Sequence, residues 1–118
     1  MTAWQLAKQF QDEHCVETFE DVLGRHLAGG VIVSSPQLFI CAREIHWDEE
    51  RGEPSLAEPL DPNCWFVELA AGIGRTNVLR DLLRALPHPQ KWLAWCRRGE
   101  MRVRVFNWNK LSNKLGGY

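Results

Sequence analysis

Two features of this chain carry residue types suited to chemistry. The first is Gly72-Ile73-Gly74-Arg75-Thr76, set between the apolar run Cys64 to Ala71 and a leucine-periodic segment. Backbone N–H groups at a glycine turn entering a helix are unpaired and sit at the positive end of the helix dipole, so they favour an anion such as a phosphate. The second is Glu68, inside the apolar run beside Trp65, Phe66, Val67 and Leu69. A carboxylate desolvated among such neighbours has its pKa raised, which suits a general base working near neutral pH. The bland alternatives stand beside both. Two glycines also let a strand turn tightly into a helix, and Glu68 also fits an exposed strand face or a pair with an arginine.

Other chemistries find less support. A nucleotide-binding P-loop needs Gly-x-x-x-x-Gly-Lys-Ser/Thr. Counted back from Gly74, its first glycine falls at Leu69, and Arg75 replaces its lysine. His14, His26, His46 and His88 form no His-x3-His pair, and Cys15, Cys41, Cys64 and Cys96 form no Cys-x2-Cys pair, so no metal ligand set is assigned. His26 reads as a satisfied core histidine. No Gly-x-Ser-x-Gly elbow is present; Ser34 and Ser35 read as turn residues. The cysteines are scattered and are expected as free thiols, mostly buried.

Charge is unevenly placed. From Arg75 to the C-terminus ten Lys/Arg face only Asp81 and Glu100, a local balance of +8, whereas residues 46–62 carry six acids against Arg51. Arg97, Arg98, Arg102 and Arg104 crowd one hairpin. By the two-residue period, Arg102 and Arg104 share a strand face with Phe106 and Trp108. Such a basic, aromatic surface suits a protein partner or nucleic acid; it equally suits a sheet edge protected by charge. Six tryptophans exceed what a small core needs, which points some of them at another chain.

The elements that must position these groups follow from pattern. Thr2 and Gln5 form a capping box for a helix over 3–11. Val16, Phe19, Val22, Leu23, His26 and Leu27 fall on one face of a second helix over 16–28, ended by Gly29-Gly30. Strands are expected over 31–33 and 38–47, with a turn at Ser34 to Pro36, then a surface loop over 48–62 and a strand over 64–71. Val78, Leu79, Leu82, Leu83 and Leu86 stripe a helix over 75–86, stopped by Pro87. Strands over 91–97 and 101–107 meet at a turn over 98–100, and a short helix or coil covers 108–115. The second strand, apolar on both faces, belongs inside a sheet. The fold class is α+β, a mixed and mainly antiparallel sheet with one crossover helix.

With 118 residues, 45% hydrophobic and a formal net charge of −1, the chain fits one ordinary globular domain over 1–118. No apolar run approaches the roughly 20 residues that span a bilayer, and no signal peptide is read at the N-terminus. A cytoplasmic protein without a membrane partner is therefore expected.

The Gly72-Ile73-Gly74-Arg75 turn and the order of elements over residues 15–107 resemble the GNAT N-acetyltransferases, whose coenzyme A loop reads Gln/Arg-x-x-Gly-x-Gly/Ala. The resemblance implies an acetyl-CoA site at Gly72, Ile73, Gly74, Arg75 and Thr76 and a general base at Glu68. This chain departs from the family at Leu69, where Gln or Arg belongs. It also departs in the short passage from Ala70 to Arg75, and in lacking a late tyrosine acid, since its one tyrosine is Tyr118. The stretches NCWFVELAAG, LPHP and VRVFNWNKL, within residues 30–112, are similar to small GNAT-like proteins of bacteriophages, including internal virion proteins of short-tailed phages. That likeness implies a non-catalytic, virion-associated or assembly protein without cofactor, found in the host cytoplasm or in a virion. It would bind virion components or itself through Arg97, Arg98, Arg102, Arg104 and Trp108. An acyl-CoA-dependent N-acyltransferase and a small nucleic-acid-binding module are the alternatives.

Overall fold

A computed structural model describes residues 1–55, 61–74, 77–96 and 103–115. Helix α1 spans Ala3–His14 and α2 spans Phe19–Gly29; strands β1 (Val31–Ser34) and β2 (Leu38–Ile45) follow. A small hairpin pairs β3 (Trp47–Asp48) with β4 (Glu53–Pro54). Then come β5 (Cys64–Gly72), α3 (Val78–Ala85), β6 (Trp92–Cys96), β7 (Val103–Asn107) and α4 (Trp108–Lys114). The architecture is α+β. The main sheet has the order β1-β2-β5-β6-β7, antiparallel throughout except for the parallel pair β5 and β6, which α3 joins as a crossover.

Local signals explain most boundaries. The capping box is present: the Gln5 N–H donates to Thr2 Oγ1 and the Thr2 N–H to Gln5 Oε1. Helix α2 starts at Phe19, three residues later than the apolar spacing suggested. The Thr18 side chain caps it by accepting from the Asp21 N–H, and Asp12 accepts from the Phe19 N–H. Val16 therefore lies before the helix, fully exposed, and Leu27 is exposed as well, so neither belongs to the buried stripe. Helix α3 begins at Val78 rather than at residue 75, because Asn77 caps it through the Arg80 N–H. The expected strand over 38–47 ends at Ile45, and Trp47 instead pairs in β3, so the expected loop over 48–62 takes in the end of β3, the turn at Gly52 with φ +67° and β4. Asn63 pins this hairpin, accepting from the Trp47 N–H and donating to the Trp47 carbonyl.

The sheet is covered on both faces. Helices α1 and α2 bury Ala3, Ala7, Phe19 and Val22 against Phe39, Cys41 and Leu69. On the other face Leu82, Leu83 and Leu86 of α3 and Trp108 of α4 pack on Ile40, Trp65, Val67 and Leu93. Strand β2 is buried from Leu38 to Ala42, as its two-sided apolarity predicted. Trp108, expected on a partner-binding strand face, instead opens α4 and is 2% exposed, filling the core. Cys41 and Cys64 are buried, but Cys15 and Cys96 are exposed, so burial holds for half of the thiols.

Candidate functional site

Strand β5 carries the site, and its register is irregular there. Cys41 of β2 faces Leu69, while the next residue, Ala42, faces Val67. Glu68 is the extra residue of a β-bulge, the device that re-aims a side chain without ending a strand. Phe66, Glu68 and Leu69 thereby turn toward the α1–α2 side, and Val67 packs toward α3.

The carboxylate of Glu68 is engaged. Its side chain is only 10% exposed; Arg25 of α2 donates to Oε2, and Arg43 Nε of β2 lies 2.6 Å from Oε1. The Arg43 contact is ionic rather than a directed hydrogen bond, which leaves Oε1 without a donor. Arg25 also reaches Glu17 at 2.8 Å, tying the α1–α2 connection into the same cluster. Glu68, with Glu17, holds the Arg25 guanidinium above its ordinary pKa. A hydrogen bond to a charged partner belongs to the strong class, and here one such bond from Arg25 and one ion pair from Arg43 join α2, β2 and β5.

His26 lies beneath this cluster, 1% exposed. Its Nδ1–H donates to the Val22 carbonyl at 2.8 Å. Nε2 is buried without a hydrogen-bond partner, 4.0 Å from Glu68 Oε1. His26 is thus a core histidine satisfied at one nitrogen only. Cys41 is the nearby thiol, and burial, aided by the Glu68 charge, pushes its pKa up to about 11, which keeps it protonated and a poor nucleophile.

On the other face of β5 the sheet opens. Strands β5 and β6 pair over Cys64 to Val67 and Trp92 to Trp95; among the described residues β5 then runs on to Gly72 without β6 beside it. Here lies a cleft of about 320 Å³ whose lining includes Val67, Glu68, Leu69, Val78, Leu82 and Trp95. Its walls are mainly apolar but include Glu68, so it suits an extended segment that is largely aliphatic. A larger recess of about 620 Å³ lies between the β3–β4 hairpin and β7, bordered by Trp47, Glu53, Val103 and Val105.

At the end of β5, Gly72 is still strand, paired with Leu38. The Ile73 N–H donates to the Gln37 carbonyl at 3.0 Å, and Gly74 turns the chain with φ +70°, a conformation that suits glycine. The Ile73 and Arg80 amides are spent within the protein, and Asp81 adds negative charge in the first turn of α3. Those features disfavour an anion at this helix start. Arg75 and Thr76 lie outside the described residues, as do Arg97, Arg98 and Arg102. Arg104 sits on β7 directly opposite Trp95, whose ring stacks on Phe106 at 4.4 Å. Among the described residues no three His, Cys, Asp or Glu side chains gather to hold a metal ion, and no helix is long and apolar enough to cross a membrane.

Sequence reasoning nominated Glu68 and the glycine turn, and the fold places Glu68 and Gly72 on β5, with Ile73 and Gly74 just past its end. It missed Arg25, Arg43 and His26 as the partners of Glu68. No sequence signal joins residues so far apart in the chain, except that a buried acid calls for a cation. Compared with protein-family models, with curated proteins and with solved structures, the chain matches none.

Proposed function

We propose that this chain is a non-catalytic GNAT-like protein of bacteriophage origin, acting as a virion-associated or assembly protein through protein–protein contacts. The observation that carries the reading is the engagement of Glu68. It is the carboxylate where the resemblance puts a general base, yet Arg25 and Arg43 hold it from two other elements. A base must be free to accept a proton from substrate. The internal hydrogen bond of the Ile73 amide and the charge of Asp81 support the same reading at the turn where a diphosphate would lie. For contact with other chains the molecule offers Trp4, which is 39% exposed, in place of the buried Trp108.

One observation favours a second reading, an acyl-CoA-dependent N-acyltransferase. The cleft where β5 and β6 part has Glu68 among its mainly apolar lining, which would set a carboxylate beside room for an extended thioester arm. Coenzyme A titration followed by tryptophan fluorescence separates the two. The non-catalytic reading expects no saturable change; saturable binding in the micromolar range overturns it. Size measurement alone and with the products of neighbouring genes tests the assembly role, and a strict monomer under every condition counts against it.

A further inference from the structure

We propose that the layer formed by α3 and α4 binds the phosphodiester backbone of nucleic acid. The two helices cover the same face of the sheet, and Arg80 of α3 ties them by donating to the Leu115 carbonyl at the end of α4. Their outward side chains include Arg84, Lys110 and Lys114, all exposed, with Asn109 and Asn113 beside them. Among the described residues none of Arg80, Arg84, Lys110 and Lys114 has a carboxylate within 4.0 Å, and Asp81 is the one acid on either helix.

The rest of the molecule behaves differently. Lys8, Arg25, Arg43, Arg51 and Lys91 each lie within 4.0 Å of an acid. Neutralisation by internal pairs is therefore the habit of this chain, and the α3–α4 layer departs from it. Cations with no carboxylate beside them among the described residues, interleaved with asparagine side-chain N–H donors, match phosphate oxygens. An acidic protein surface would present similar charge, but stable protein interfaces also need an apolar centre. The exposed large apolar side chains, Met1, Trp4, Val16 and Leu27, all lie in the α1–α2 region instead. The surface is also separate from the Glu68 cluster and the glycine turn, so its behaviour does not depend on whether the chain binds coenzyme A.

The experiment is fluorescence anisotropy of a labelled DNA duplex of about 30 base pairs and arbitrary sequence with the full chain, across a salt series. Three phosphate contacts, from Arg84, Lys110 and Lys114, give a slope of about −2.7 in log affinity against log salt, an approximately 40-fold weakening from about 50 to about 200 mM. The variant Arg84→Gln/Lys110→Gln/Lys114→Gln is expected to lose that dependence, while Lys8→Gln/Arg51→Gln keeps it. If the triple variant does not fold, Lys110→Gln alone must flatten the slope by about 0.9. Absence of binding at the lowest salt overturns the proposal, as does a folded triple variant, or a folded Lys110→Gln, with the parent's affinity and slope. Displacement of the duplex by poly-glutamate at matched charge concentration, as effectively as by unlabelled duplex, also overturns it and assigns the surface to an acidic protein.

Discussion

Replacing Glu68 with glutamine keeps the shape of the side chain and removes its charge, so it separates a structural clamp from an idle catalytic base. The magnitude follows from exposure. Breaking a fully buried ion pair costs about 3–5 kcal/mol, and an exposed one about 0.2–1 kcal/mol. Glu68 is 10% exposed, but Arg25 and Arg43 are 40% and 45% exposed and regain water when released. Each contact is therefore discounted to about 1 kcal/mol, or about 2 kcal/mol for the two. Unfolding entropy of about 2.1 cal/mol/K per residue, over 118 residues, gives about 0.25 kcal/mol/K. Glu68→Gln should thus melt about 8 °C below the parent in a thermal scan followed by circular dichroism at neutral pH. A melting temperature within about 2 °C of the parent, or above it, would refute the clamp. The latter is the signature of a group held in place for catalysis at the expense of stability.

Other outcomes follow from the same contacts. A Cβ at Gly30 would lie 2.7 Å from His26 Cδ2 and 2.8 Å from the Ala42 carbonyl oxygen, so Gly30→Ala should cost about 2 kcal/mol in urea unfolding. Gly24→Ala, where nothing lies within 4 Å of the added carbon, should stabilise α2 by about 0.5–1 kcal/mol; equal effects at the two sites would contradict the packing. At pH 8 a thiol reagent should label Cys15 and Cys96 promptly and Cys41 and Cys64 only on unfolding, since burial pushes the latter pair up to about 11 and about 12. Labelling of all four at one rate in the folded protein would count against the core. The Phe19 N–H, then Lys8, holds Asp12 below its ordinary value of 3.8. Its contribution to stability is complete above that value and is lost as pH falls through the lower folded-state value. Asp12→Asn keeps the acceptor for Phe19 and should flatten the acid side of the melting-temperature profile below pH 3.8; an unchanged acid limb would exclude this role.

What the sequence made legible was the order of elements, because caps, glycines and apolar periods are local signals. Thr2 with Gln5 started α1, Gly29 and Gly30 closed α2, and Pro87 followed the end of α3. The start of α2 was misplaced because Val16 fits the helical spacing yet lies before the Thr18 cap, in contact with solvent. The β3–β4 hairpin was hidden in an acidic, proline-bearing stretch, where two-residue strands leave no period and Asn63 supplies the anchoring from afar. Trp108 looked like a strand residue because the alternation through Arg104 and Phe106 continues onto it. The Asn107 cap ends the strand there and turns the indole inward. The partners of Glu68 were unreadable for another reason: Arg25, Arg43 and Glu68 meet only through tertiary packing.

The extra residue in β5 makes the strand behave like a reading frame. Up to Val67 the odd-numbered side chains serve the layer under α3, and from Leu69 onward they serve the layer under α1 and α2. Any amino acid at position 68 preserves that switch, so substitutions there disturb charge but not parity. Deleting the single codon would remove the bulge and restore strict alternation with Leu69 and Ala71 on their present side, opposite Cys41 and Phe39. A library of single-residue deletions along this strand should therefore be best tolerated at position 68 and worse tolerated at the paired positions on either side, as a gene survives the loss of an inserted base but not of a coding one.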